Sequence, residues 1–344
     1  MRLGTQLAAQ AETRSLDLGD VGAILRLILT VTVAVELVVG VGLMLRLHYS
    51  YGEAWPRAAW DGLFHAVSAF NNAGFSTYSS SLIGFQTDVL VLGPVMLAIA
   101  LGGIGFPVLH ELRREPGNWP RWSVHTKITL LGTALLLVGG ALAIGAYEWN
   151  NPATFGAMSS DGRVLNAVFH SVGARTAGFN AVDMAALRPE TLAVHYVLMF
   201  IGGGSAGTAG GIKVTTFFLL GFVVWAEVRG ARETSAFRRT IPHAAQRQAL
   251  TVVLLGVGVI AIATLALMTL TDHPLVVVLF EAISAFATVG LSTGITAGLP
   301  PAGHGILIVL MFIGRVGTVT VATALALRAR NVPYRYPEER PIVG

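Results

Sequence analysis

Three stretches of this 344-residue chain close on the same glycine turn: FHAVSAFNNAGFS (64–76), FHSVGARTAGFN (169–180) and FEAISAFATVGLS (280–292). Aligned on Gly74, Gly178 and Gly290, the first and third share Phe at minus ten, Ser-Ala-Phe from minus six and Ser at plus two. None of the turns at 71–75, 175–179 and 287–291 contains an acidic residue. Glycine admits positive φ without a Cβ clash, so successive carbonyls in such a turn can face one way. A preceding short helix aims its partly negative C-terminal end at the same place. Rings of carbonyls can replace the water shell of a monovalent cation, whereas a calcium site would be expected to place carboxylates there. One such turn alone reads as a plain helix cap. Three of them, 104 and 112 residues apart in apolar sequence, read as one repeated unit.

After the second turn, LAVHYVLMFIGGGSAGTAGGIKVTTFFLLGFVVWAEV (192–228) carries six glycines within 202–211. Glycine costs up to about 1 kcal/mol relative to alanine in a helix interior, so the helix should break there, at mid-membrane. Broken helices at that depth mark transport sites and gates; close packing through small residues is the plain alternative. In the last apolar run, MFIGRVGTVT sets Arg315 among apolar neighbours. An intramembrane charge costs at least about 2.5 kcal/mol and is a functional candidate by default. Arg315 is expected to repel cations and to hold the 202–211 segment closed by bonding its carbonyls. Lys213 either faces the same path or reaches the inner surface. Arg175 reads as structural, satisfying loose carbonyls near a helix end, and Asn71 and Asn72 as side-chain braces. Glu36 reads as a paired internal carboxylate. His65 and His170 have no metal-like partners in the sequence.

Positioning these groups falls to apolar runs at 23–45, 88–109, 128–147, 191–201 continuing through 212–226, 250–270 and 305–327. About 20 apolar residues cross a bilayer. Hydrophobic residues make up 53% of the chain and charged ones 12%, where a soluble domain carries about a quarter charged; mean hydropathy is +0.66. The expected fold is an all-α polytopic membrane protein. Short helices at 60–72, 163–175 and 275–287 are too short to cross and too apolar for water, which fits re-entrant hairpins around a wet axis. Zero cysteines exclude disulfides and thiolate metal sites.

Most of the 23 basic residues fall in four places: Arg2, Arg14 and Arg26; Arg113, Arg114, Arg121 and Lys127; Arg229, Arg232, Arg238, Arg239 and Arg247; and Arg328, Arg330, Arg335 and Arg340. By the positive-inside rule these segments face the cytoplasm and the glycine turns open outward. The net charge of +4 therefore follows topology and is no nucleic-acid footprint. A copy one period before Gly74 would centre about 30 residues before Met1. The expectation is pseudo-fourfold helix–re-entrant pore loop–helix units with three of four repeats present. Residues 1–22 would be a cytoplasmic segment following the missing first repeat, 23–110 repeat two, and 111–226 repeat three with its broken second helix. Residues 227–328 would be repeat four with its preceding loop, and 329–344 a cytoplasmic tail.

Soluble-enzyme motifs in the glycine-rich segment fail on context. Gly202-x-Gly204-x-x-Gly207 with Glu227 imitates a dinucleotide fingerprint but lies in an apolar span with no strand–helix–strand unit. Gly203-x-Ser205-x-Gly207, with His195 nearby, imitates a nucleophile elbow. That leaves an intramembrane serine hydrolase as the enzyme alternative and a secondary transporter of another solute as the non-enzyme one. The expectation is no enzyme and no nucleotide site in this chain.

The turns, with RTAGFN in the middle one, resemble the pore loops of the Trk/Ktr/HKT superfamily of potassium transporters. The likeness runs over essentially the whole chain and is greatest to the KtrB-like membrane subunit, through its length and the closing PYRYPEERPIVG. It implies potassium uptake across the cytoplasmic (inner) membrane by a multi-pass protein with no cofactor of its own, with K+ as the transported ion and Na+ as an activator. It implies a filter lined by the carbonyls of Asn72, Ala73, Gly74 and Phe75, of Thr176, Ala177, Gly178 and Phe179, and of Thr288, Val289, Gly290 and Leu291. It also implies a gating loop of Gly202, Gly203, Gly204, Ser205, Gly207, Thr208, Gly210, Gly211 and Lys213, with Arg315 facing the pore below the filter. The implied partners are a second copy in a homodimer, a cytoplasmic nucleotide-binding regulatory ring (KtrA-like) and membrane lipid.

Overall fold

The computed structural model describes residues 21–317; the expected tail at 329–344, and all but the last two residues of the expected leading segment at 1–22, lie outside the described residues. Helix dominates, with α1 (Val21–Tyr51), α2 (Trp55–Phe70), α3 (Val89–Gly103), α4 (Phe106–Arg114), α5 (Val124–Glu148) and α6 (Ser160–Gly173). Then follow α7 (Pro189–Phe200), α8 (Val214–Val228), α9 (His243–Leu270), α10 (Leu275–Phe286) and α11 (Pro301–Phe312), which runs into a π-helical turn at Ile313–Gly317. A two-stranded hairpin, β1 (Ser235–Ala236) against β2 (Arg239–Thr240), sits between α8 and α9.

Long helices α1, α5 and α9 are apolar enough to cross a membrane. Leucines and valines stand exposed along them, such as Val38 at 74% and Leu142 at 70%. Facing water, those side chains would forfeit most of the roughly 1.5–3 kcal/mol that each gains on burial; lipid removes that penalty. After each long helix a short one (α2, α6, α10) descends to a glycine turn, and a further helix leaves it. The short helices are packed inside: every residue of α10 from Phe280 to Phe286 is buried. Phe169 and Phe179 of the second unit share a core with Phe70 of the first, which locks the units together.

Caps and tethers fix the outer ends. Asp88 caps α3 through the Leu90 amide and takes hydrogen bonds from Arg46 and Tyr51, each at 2.9 Å. Glu148, fully buried at the end of α5, accepts from Thr191 (2.6 Å), Asn151 (2.7 Å) and the Arg188 amide (2.8 Å), tying the outer linker to α7.

The apolar run at 88–109 is not one straight span. Helix α4 leaves α3 at 93°. Gly105 at the break has φ +99°, and Pro107 in the first turn of α4 supplies no amide to continue the ladder. In the fourth apolar run, α7 ends at Phe200 and α8 starts at Val214, with non-helical backbone between them.

Candidate functional site

The three turns share a backbone signature. Asn72 and Gly74 both have positive φ (51° and 72°), as do Thr176 and Gly178 (71° and 80°) and Thr288 and Gly290 (53° and 92°). Left-handed geometry at a β-branched residue costs on the order of 1–3 kcal/mol and persists only where the surroundings impose it. Thr176 is fully buried and its hydroxyl is held by the Gly210 amide at 3.2 Å.

The turns also lie against one another. A Cβ on Gly74 would overlap the Ala177 carbonyl oxygen and sit 2.9 Å from the Gly178 Cα. A Cβ on Gly178 would overlap the Val289 carbonyl oxygen, and the nearest atom to one on Gly290 is the Gly178 Cα at 3.8 Å. Gly178 thus adjoins both other glycines, and carbonyls of each following turn point at the glycine before it. The backbone oxygens of Ala73, Gly74, Thr176, Ala177, Gly178, Thr288, Val289 and Gly290 accept no hydrogen bond among the described residues. Thr176, Ala177, Gly178 and Val289 are buried, Ala73, Gly74 and Thr288 half-buried, and Gly290 exposed, and backbone carbonyls shut away from water are nearly always paired. The Phe75 carbonyl, by contrast, is held by the Ser68 hydroxyl at 2.8 Å.

Residues 201–213 form a pinched loop between α7 and α8. Gly202 donates to Ile212 O (2.9 Å) and Ile212 to Phe200 O (3.0 Å), closing its neck. The loop docks on the α3–α4 break through Gly204 N to Gly103 O (2.8 Å), Thr208 N to Gly102 O (3.1 Å) and Phe106 N to Ala206 O (3.1 Å). It touches all three turns. Asn72 Nδ2 donates to Thr208 Oγ1 (2.7 Å), which donates to Phe70 O (3.0 Å). On the second turn, besides the Thr176 bond, Arg175 reaches Gly202 O at 2.8 Å. Gly210 packs on Ala287 and Thr288 of the third.

Three cations surround this loop. Arg315 Nη1 donates to Thr208 O at 2.7 Å, and Lys213 Nζ to Ala209 O at 2.6 Å. Buried Arg175 bonds carbonyls of α5 and the loop, Thr133 and Gly202, rather than those of its own helix end. Neither Arg315 nor Arg175 forms an ion pair with a described residue. Glu36 is partnered by Asn71 Nδ2 at 2.9 Å. Ser205 shares its hydroxyl bond with Thr215 (3.0 Å), while His195 is bound to Thr191 O (2.8 Å), so these two residues do not pair.

One brace escaped the reading of the sequence. In the first unit, His65 Nε2 meets the Ser76 hydroxyl at 2.9 Å. In the third, Glu281 holds the position of His65 and takes bonds from the Ser292 hydroxyl (2.6 Å), the Thr293 amide (2.9 Å) and the Thr296 hydroxyl (2.9 Å). Each links the short helix to the segment leaving the glycine turn. The signal was present: a polar residue follows the shared Phe in all three stretches. Glu281→Ala should lower the thermal midpoint of the purified chain more than Ser292→Ala. It orphans the Thr293 amide as well as the hydroxyls, and each unsatisfied buried donor costs about 1–3 kcal/mol. Equal midpoints for the two variants would contradict that ranking.

Fold and site together define an integral membrane protein in which re-entrant glycine turns meet above an intramembrane loop. Residues 1–332 match the family model for TrkH, a cation transport protein, and the chain belongs to that family. Ktr system potassium uptake protein B of Bacillus subtilis (strain 168) is 35% identical, covering 99% of this chain and 76% of the relative. The protein of that name from Vibrio alginolyticus is 38% identical over 84% of this chain and 64% of its own length. Potassium/sodium uptake protein NtpJ of Enterococcus hirae is 34% identical over 96% and 74%. The crystal structure of the potassium transporter TrkH from Vibrio parahaemolyticus shares the fold, with a TM-score of 0.70 over 90% of this chain and 65% of that chain at 16% identity. The family and these relatives are described as transport or uptake proteins.

Proposed function

We propose that this chain takes up potassium across the cytoplasmic membrane, coordinating the dehydrated ion with the bare carbonyls of the three turns. The 201–213 loop is the gate and Arg315 its latch. The observation that carries this reading is the cluster of unbonded carbonyl oxygens at Gly74, Gly178 and Gly290 in turns that hold no acidic side chain. Oxygens of that kind exchange for a hydration shell with little net change, which lets an ion enter and also leave. The names of the Bacillus and Vibrio relatives agree with it. The membrane potential and concentration gradient drive the flux, with no chemistry on a substrate. Sodium stimulation, a homodimer and a cytoplasmic nucleotide-binding ring that pulls the loop open belong to the same reading.

Expression of the chain in a bacterium lacking its own potassium uptake should restore growth at low potassium and give rubidium tracer influx that potassium competes away. Influx of a different solute, untouched by rubidium or caesium, would replace this reading with a secondary transporter. Sodium influx without potassium influx would assign the filter to the smaller ion.

A further inference from the structure

At the basic end of the molecule a cavity of about 550 Å3 opens between the start of α1 and the end of α4. It is lined by Arg26, Leu27, Thr30, His110, Arg113 and Arg114. Among the described residues no acidic side chain lines it, and none of the three arginines forms an ion pair. Arg26 Nε makes a long bond to Gly22 O at 3.4 Å, and Arg113 and Arg114 are exposed. Gathering that much like charge is unfavourable unless an anion enters, and guanidinium groups match phosphate oxygens in pairs.

The surroundings identify the anion. Helix α4 turns 93° away from α3, so it runs across the bilayer direction, with Val108 buried against the protein. On the α1 side the same turns of helix expose Leu25 and Leu29. A phosphate group held between α1 and α4 would therefore have apolar wall beside it, at the boundary where lipid headgroups lie. Basic pockets between spanning helices on the cytoplasmic side suit anionic headgroups. We infer that this cavity binds an anionic phospholipid, its phosphodiester between Arg26 and the Arg113–Arg114 pair and its acyl chains along α1. A soluble phosphate would use the arginines but have no use for the leucines.

Occupancy has a route to the loop. The first amide of α4, on Phe106, donates to Ala206 O at 3.1 Å, so a lipid that fixes the far end of this short helix biases the segment that rests on its near end. This consequence rests on reading the 201–213 loop as a gate; the binding site does not.

The test uses the purified full-length chain in detergent, offered phosphatidylglycerol or phosphatidylcholine and read by native mass spectrometry. The wild type should retain phosphatidylglycerol preferentially. Arg26→Gln/Arg113→Gln/Arg114→Gln should lose that preference by about fivefold per arginine removed. The milder Arg113→Gln/Arg114→Gln guards against misfolding of the triple variant, and Arg229→Gln/Arg232→Gln, elsewhere on the basic face, should retain lipid as the wild type does. Undiminished retention by both cavity variants would overturn the site. Complete displacement of the lipid by millimolar inorganic phosphate would overturn its assignment to a lipid. In proteoliposomes, rubidium influx by the wild type should respond to phosphatidylglycerol and that of the triple variant should not. Lipid binding with no effect on influx would overturn the link to the loop alone.

Discussion

Gly178→Ala is expected to abolish rubidium influx, by on the order of 100-fold, while leaving the chain folded and in the membrane; each tenfold loss corresponds to about 1.4 kcal/mol at the ion path. Two separate costs meet at this residue. Its φ of +80° is one that an L side chain adopts only at about 1–2 kcal/mol, and the added methyl would overlap the Val289 carbonyl oxygen. Relief requires the third turn to move, and that carbonyl is one of the unbonded oxygens assigned to the ion.

Gly290→Ala provides the contrast. It carries a similar backbone penalty at φ +92°, but the nearest atom to its methyl is 3.8 Å away, an ordinary contact. Its influx should fall about tenfold, by the backbone cost alone. A second readout separates damage to the ion site from misfolding. Potassium should raise the thermal midpoint of the wild type, as any ligand selective for the folded state does, and should leave that of Gly178→Ala unmoved. Equal losses at the two glycines, or a Gly178→Ala chain still stabilised by potassium, would remove the filter from this place.

What the sequence revealed were features that demand a particular residue type or a long run. Only glycine sits easily at Gly74, Gly178 and Gly290, so their spacing exposed the repeat. Six glycines in ten residues cannot hold a helix, so the break between α7 and α8 was visible, and Arg315 stood out against apolar neighbours. The bend between α3 and α4 was hidden because hydropathy counts apolar residues regardless of the axis they follow. Left-handed Thr176 and Thr288 were hidden for the opposite reason. β-Branched residues avoid that geometry, and only contacts made far along the chain impose it. The same holds for Asn72 with Thr208, 136 residues apart, and for Arg175, whose carbonyl partners lie on other elements. Sequence supplies the residue types, and packing chooses their partners.

Arg315→Ala should raise resting influx about tenfold or more. A hydrogen bond to a charged group is worth about 1.5–3 kcal/mol, and the bond to Thr208 O ties the loop to the end of α11. Losing it moves the balance between closed and open loop by that amount, roughly ten- to a hundredfold. The π turn places the side chain. Gly314 lies so close to the end of α10 that a Cβ there would overlap the Phe286 carbonyl oxygen, and the widened turn at Ile313–Gly317 carries Arg315 beside the loop. Charge and latch can be separated. Arg315→Gln keeps a donor but removes the positive charge that repels an approaching cation. Arg315→Lys keeps the charge on a more flexible stem with no planar fork. If the latch dominates, influx should rise most in Ala and less in Gln; if repulsion dominates, Ala and Gln should rise together while Lys stays near wild type. A chain in which Ala, Gln and Lys all match the wild-type rate has neither a latch nor a barrier at this arginine, and the loop would then be held shut by its docking on the α3–α4 break alone.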